Sequence, residues 1–192
     1  RSVIAASFAH PGEYHLIVPI TLSVLAGLAT GLFNGIGVAY GNIPPFIVTL
    51  GSMTIFRGLA LIYSNGQPIF GVTKEFERIA GGFVLDIIPN LVVYFLIITT
   101  ISAFILTRTV FGRRVYAIGG NEISAKVSGI NVPKIKMAVY AISGFLAGFA
   151  GLLLSSRIVS GNPTAGQSYE LDAIAAVIIG GVSMSGGSGK WF

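Results

Sequence analysis

The apolar residues of this chain are gathered into five blocks, residues 16–40, 45–63, 87–106, 137–154 and 173–184, with polar residues, prolines and glycines between them. An α-helix rises about 1.5 Å per residue, so about 20 residues cross the roughly 30 Å hydrocarbon core of a bilayer. The first four blocks have that length or nearly so and are predicted to be membrane spans. The fifth covers only part of the core and predicts a half-helix, or a helix continued by the glycines that follow it. Composition points the same way: 53% of residues are hydrophobic and 10% charged, against about a quarter charged in soluble domains. A water-facing surface cannot be made from so few charges. The expected fold is all-α, a polytopic bundle with about four full spans plus a short broken segment, forming one transmembrane domain over residues 1–192.

Charge orders the spans. The connection between the third and fourth blocks carries Arg108, Arg113, Arg114, Lys126, Lys134 and Lys136 against the single acid Glu122. The connection from Ser64 to Asp86 holds Lys74 and Arg78 against Glu75, Glu77 and Asp86, and the one after residue 154 holds Arg157 against Glu170 and Asp172. Basic connections stay in the cytoplasm. The strongly basic one is therefore inside, which places 1–15, 64–86 and 155–172 outside and 41–44 inside. The formal charge of +5 is thus topological, and nucleic acid is not needed as a partner. Arg57 is the one basic residue well inside a span; it either snorkels outward or joins an ion pair, or it lines a polar pathway.

Gly27, Gly31 and Gly35 recur at every fourth position, as do Gly144 and Gly148 on a later span. Such spacing lets helix backbones approach closely in lipid and reads as packing stripes. Enzymatic readings find little support. There is no cysteine, and the best nucleophile candidates, Ser183 and Ser185, have only His10 and His15, at the other end of the chain, as potential bases. Two histidines without a nearby carboxylate pair also make a poor metal site. The expectation is no catalytic, cofactor-binding or metal-binding residue. The run from Gly186 to Lys190 resembles a phosphate loop, but Met184 stands where the loop needs glycine and Trp191 where it needs Ser or Thr. Any ATP used would be bound by a separate subunit.

Within the basic connection, Asn121 is predicted to cap a short helix from Glu122 to Ser128 that Gly129 ends in the left-handed conformation, with Pro133 in the first turn of the next span. This is either a well-capped surface helix or a docking surface for a cytoplasmic partner. On the outer side, Tyr169, Glu170 and Asp172 precede the half-helix. Asp172 is expected to cap it, and the acids either simply suit the helix dipole or border a translocation path. Gly180, Gly181, Gly186, Gly187 and Gly189 would then permit irregular backbone as the chain turns back.

Three stretches are more specific: 111–122 (Phe-Gly-Arg-Arg-Val-Tyr-Ala-Ile-Gly-Gly-Asn-Glu), 128–132 (Ser-Gly-Ile-Asn-Val) and 169–181 (Tyr-Glu-Leu-Asp-Ala-Ile-Ala-Ala-Val-Ile-Ile-Gly-Gly), supported by 44–51 and 163–166. With them the chain closely resembles, over nearly its whole length, the permease subunits of ribose-type sugar ABC importers, within the wider group that also serves branched-chain amino acids. Members of that group have further spans before and after the stretch present here. The chain opens without Met and stops after a glycine-rich run, so it is expected to be an internal piece cut at both ends.

The resemblance implies a multi-pass protein of the bacterial cytoplasmic membrane, in contact with lipid and moving a monosaccharide by alternating access. Its partners would be a second permease subunit, a cytoplasmic ATP-binding subunit and an extracytoplasmic sugar-binding protein. Coupling must pass through a cytoplasmic contact, for which two segments compete. One is the helix and its approach, with Arg113, Arg114, Gly119, Gly120, Asn121, Glu122, Lys126, Ser128 and Gly129. The other is the glycine-rich stretch with Gly181, Ser183, Gly186 and Gly187. Hydroxyls and amides suit a sugar, so Thr49, Ser52, Thr54, Asn65 and Gln67 are path candidates, together with Arg57 and the outer group Tyr169, Glu170 and Asp172. Three alternatives stand beside this reading. One is the same architecture with another cargo: a different sugar, a sugar-derived signal or a branched-chain amino acid. Another is an ion-coupled secondary transporter, although Asp86 is the only acid near a span. The third is a membrane scaffold without an ATP-hydrolysing partner.

Overall fold

A computed structural model of the chain describes residues 2–9, 15–84, 87–183 and 186–189. Asp86, His10, Ser185 and the tail from Lys190, all named above, lie outside the described residues. Among the described residues, four helices are long and apolar enough to cross a bilayer: α2 (Ile17–Ala39), α3 (Pro45–Tyr63), α5 (Asn90–Arg108) and α8 (Val132–Ile158). The shorter helices are α1 (Ser2–Ser7), α4 (Lys74–Gly81), α6 (Val110–Gly120), α7 (Glu122–Val127) and α9 (Tyr169–Ile179). A two-stranded antiparallel hairpin, β1 (Phe83–Val84) and β2 (Ile88–Pro89), precedes α5. The chain forms two compact units, one of residues 1–94 and 137–165 and the other of 95–136 and 166–192.

In the first unit α2 and α3 form a helical hairpin. Pro44 ends the short connection in extended backbone and Pro45 opens α3, where its missing N–H costs nothing. The hairpin is pinned at two levels, where a Cβ on Gly37 would lie 3.0 Å from Val48 and where Phe33 and Phe56 meet edge to face at 6.0 Å. Across α2 lies α8, antiparallel, and here the two glycine stripes meet. A Cβ on Gly27 would lie 2.6 Å from the Cα of Gly148, and one on Gly144 would lie 2.6 Å from the Cα of Gly31. The Ser23 hydroxyl, fully buried, donates across the seam to the Gly148 carbonyl at 3.1 Å. The expected packing stripes are therefore one seam, with main chain against main chain.

At one end of this unit the connections predicted to be outside come together. Thr73 caps α4, its hydroxyl accepting from the Phe76 N–H, and Phe76 is buried with Ala5, Ala9 and Leu152. The Thr73 N–H donates to the Ala9 carbonyl at 3.0 Å, and Ile69 pairs with Gly161 as an isolated antiparallel bridge. Ser156, at the end of α8, is fully buried; its hydroxyl donates to the Phe76 carbonyl at 2.6 Å and accepts from the Ala80 N–H at 2.9 Å. Residues 2–9, 69–80 and 152–161 thus share one end, as the charge argument requires. Only its detail, with α1, α4 and the hairpin, was not foreseen.

In the second unit α5 gives way to α6 at Thr109. Its side-chain oxygen accepts from the Gly112 N–H at 3.3 Å, and Gly112 sits so close to the Leu106 carbonyl that a side chain would overlap it. The spans follow their apolar blocks closely, except that α8 runs from Val132 to Ile158 rather than over 137–154. Two expectations for the last helix need correction. It spans Tyr169–Ile179 rather than 173–184, ending before Gly180 and Gly181. Tyr169, Glu170 and Asp172 do not precede it but form its first turn, and Asp172 is not its cap: Ser168, with φ +72°, holds that position and makes no side-chain capping bond. Acids in the first turn face the partial positive charge of the helix N-terminus, which favours Glu170 and Asp172 there without a side-chain cap.

Candidate functional site

The basic connection is an ordered platform. The Ser124 N–H donates to the Asn121 Oδ1 at 2.9 Å, capping α7, and Gly129, with φ +81°, closes it, its N–H donating to the Lys126 carbonyl at 3.1 Å. The Lys134 N–H donates to Asn131 Oδ1 at 3.2 Å, which starts α8 with Pro133 in its first turn. Thr109 and Asn121 between them cap two consecutive helices where one was expected, because α6, Val110–Gly120, is helical as well. Arg113, Arg114, Lys126, Asn121, Ser128 and Gly129 are exposed. Glu122 is exposed too but is held by Lys136, whose Nζ reaches both carboxylate oxygens at 2.8 Å, leaving the surface basic.

Two residues the sequence reading passed over stand out on α7. Ile123 is 77% and Val127 84% exposed, one helical turn apart and on the same face. An apolar pair on an exposed helix of a basic connection has the makings of a protein contact rather than of a solvated surface.

The second candidate segment meets the first. Gly181, with φ +82°, takes the chain out of α9, and a tight turn follows in which the Ser183 N–H donates to Ser188 and the Gly186 N–H to Ser183, at 3.0 and 3.1 Å. Gly186 and Gly187 both have positive φ, at +83° and +74°. A Cβ on Gly119 would lie 2.8 Å from the Gly187 Cα, and one on Gly187 would lie 2.6 Å from the Gly120 Cα. The end of α6 and this turn are in main-chain contact that no side chain at these positions fits. The two segments weighed as rivals are neighbours within one unit.

The path candidates converge less. Thr49 and Ser52 share one face of α3, whereas Thr54 lies on another. Each hydroxyl donates back to its own helix: Thr49 to Pro45 at 2.9 Å, Ser52 to Thr49 at 3.0 Å and Thr54 to Leu50 at 3.0 Å. Ser52 is buried, Arg57 is half-buried, and Asn65 and Gln67 are exposed in the turn after α3, with Asn65 at φ +50°. Tyr169 and Asp172 are exposed and Glu170 half-buried on α9, in the other unit. Among the described residues no group of His, Cys, Asp and Glu is arranged to hold a metal ion.

Residues 2–188 match the family described as branched-chain amino acid transport system, permease component. The chain belongs to that family. With four helices able to cross a bilayer, this family member is a multi-pass membrane protein. It is 46% identical over 179 residues to the ribose import permease protein of Haemophilus influenzae, covering 91% of this chain and 54% of that protein. Over 159 residues it is 47% identical to the ribose import permease protein of Bacillus subtilis, covering 82% and 49%. Over 169 residues it is 41% identical to the D-allose transport system permease protein of Escherichia coli, covering 88% and 52%. This permease-family chain spans about half the length of the curated relatives it matches. No solved structure matches it.

Proposed function

We propose that the chain is part of the channel-forming permease subunit of an ATP-driven importer in the bacterial cytoplasmic membrane, and that its cargo is a monosaccharide, ribose or a close relative. The observation that carries this reading is the identity of 46 and 47% to two ribose import permeases across the spans and the basic connection alike. The D-allose transport relative supports the same architecture with a different sugar as the second reading.

In this account the protein does no covalent chemistry. A second permease subunit completes the pathway, an extracytoplasmic binding protein delivers the sugar, and a separate cytoplasmic subunit binds and hydrolyses ATP. Alternating access needs two arrangements of the helices whose balance the ATPase shifts, so the ATPase must bind them differently. The proposed contact is the composite of α6, α7 and the Gly186–Gly189 turn. What supports it is the main-chain seating of Gly119 on Gly187, which ties a force applied to α7 to the chain leaving α9. The exposed Ile123 and Val127, on a connection that also exposes Arg113, Arg114 and Lys126, suit an apolar groove with an acidic rim. Uptake of labelled sugars by cells lacking their own ribose permease, complemented with the full-length parent protein, tests the reading. Ribose uptake above the empty control supports it; uptake of D-allose but not ribose favours the second reading, and uptake of neither overturns both.

A further inference from the structure

Asn34 lies in the last third of α2, five residues before its end, and its Oδ1 is removed from solvent without a hydrogen-bond partner among the described residues. Inside a bilayer no bulk water relieves such a group, and an uncompensated amide oxygen costs about 1–3 kcal/mol by protein mutation data. Polar groups persist in membrane spans where something other than lipid meets them. The surroundings say what that is.

At about 100° per residue, Asn34 stands beside the Gly27–Gly31–Gly35 stripe that packs on α8, and on the side leading to Phe33 and Gly37, which meet α3. Thr30, one turn earlier on the same side, is 8% exposed. Across the hairpin, Ser52 falls at the level between the Gly37–Val48 and Phe33–Phe56 contacts. It is 4% exposed and the one residue of α3 that is buried. The shielded strip of this hairpin thus holds the hydroxyls of Thr30 and Ser52 beside Asn34, together with Gly31, Gly35 and Val38, while the outer faces of the same helices carry Leu25, Ile36, Ile55 and Leu59, all more than half exposed. The hydroxyl protons of Thr30 and Ser52 go to the carbonyls of Gly27 at 2.7 Å and Thr49 at 3.0 Å. What the strip offers is thus an acceptor, the Asn34 oxygen, with no charged side chain at Thr30 or Ser52. It suits the hydroxyl of a neutral, polyhydroxylated solute, which can both donate to the amide oxygen and accept from the amide nitrogen.

We infer that Asn34, level with Ser52 and one turn from Thr30, is a hydrogen-bonding station on the translocation path, where its side-chain oxygen accepts from a hydroxyl of the passing sugar. The inference rests on the transport reading above and adds a residue to it.

The chain contains no cysteine, which makes the test direct. In the full-length parent, with any cysteines elsewhere replaced by serine and with its ATPase and binding protein in liposomes, Asn34→Cys is exposed to a membrane-impermeant methanethiosulfonate during turnover. Modification is expected, and sugar at about twice its half-saturating concentration slows it about threefold by occupancy. Ile36→Cys, two residues on and facing outward, stays unmodified. A cysteine at 34 that does not react, or reacts at a rate indifferent to sugar, overturns the inference. In parallel, Asn34→Leu is expected to lower uptake about tenfold, the equivalent of one lost hydrogen bond, with the melting temperature unchanged or raised because an unsatisfied acceptor has gone. Unchanged uptake overturns the inference. If Asn34→Leu does not assemble, the cysteine result alone decides. Ribose, galactose and allose uptake by the cysteine-free parent separates the two levels. Transport without reactivity at 34 sinks the station alone, and no transport of any sugar sinks the reading beneath it.

Discussion

Replacing Gly27 with Ala adds one methyl group to the α2–α8 seam. Its Cβ would lie 2.6 Å from the Gly148 Cα and 2.8 Å from the Gly148 N, and would overlap the Gly144 carbonyl. Comfortable carbon contacts begin near 3.5 Å, and all three obstacles are main chain, so α2 and α8 must part by about 1 Å. A gap of that size forfeits a quarter to a half of the dispersion energy along the seam, and it stretches the hydrogen bond from Ser23 to Gly148, which is worth about 0.6 kcal/mol in a membrane setting. The sum falls in the usual range for overpacking, about 1–3 kcal/mol. For a protein of this size that is a melting temperature lower by roughly 3–10 °C. The gain in helix propensity from Gly to Ala does not offset it, since spans stay helical in the bilayer even when their packing is lost. The comparison that isolates packing is Gly51→Ala and Gly58→Ala on α3, where a Cβ would meet nothing within 4 Å. Thermal unfolding of the full-length parent in detergent should show Gly27→Ala and Gly144→Ala well below these two controls. If all four melt together, the seam is not held by close backbone approach and the reasoning fails.

Ser156→Ala removes the buried hydroxyl that ties α8 to the Phe76 carbonyl and the Ala80 N–H of α4 and should cost about 1 kcal/mol, read as faster proteolysis of the 64–89 segment in sealed right-side-out vesicles. Val159 is a β-branched residue at φ +56°; Val159→Asn, which tolerates that conformation, should raise stability by about 1 kcal/mol in the same thermal assay. Val127→Asp, at a position 84% exposed, should leave the melting temperature nearly unchanged yet weaken capture of the ATPase subunit about tenfold or more; undiminished capture removes α7 from the contact. Asn121→Ala should destabilise α7 by about 1 kcal/mol and lower coupled ATPase activity more than it lowers the melting temperature of the protein.

The spans were legible because hydropathy and helix length are the same constraint in a bilayer, so the blocks at 16–40 and 45–63 needed almost no adjustment to become the helices Ile17–Ala39 and Pro45–Tyr63. Where they moved, charge misled. Lys134, Lys136 and Arg157 interrupt the apolar run of the fourth span, yet helix hydrogen bonding continues through them into water, and α8 is longer at both ends. The same blindness put Tyr169, Glu170 and Asp172 outside a helix they begin. The caps at Asn121 and Gly129 were readable because each rests on one local hydrogen bond or one positive φ. The contact of Gly119 with Gly187 was not, since the 67 intervening positions of sequence carry no record of which glycines meet. Asn34 shows the intermediate case: an amide in an apolar block is visible in the sequence, but only the structure reveals that its oxygen lacks a partner among the described residues.

The most direct test of the account is ATP hydrolysis in liposomes containing the full-length parent, its ATPase subunit and its binding protein, measured with and without sugar. Stimulation by ribose or by one close relative is the predicted result. An ATPase rate indifferent to every sugar offered, with the complex intact, would contradict the assignment of a sugar importer.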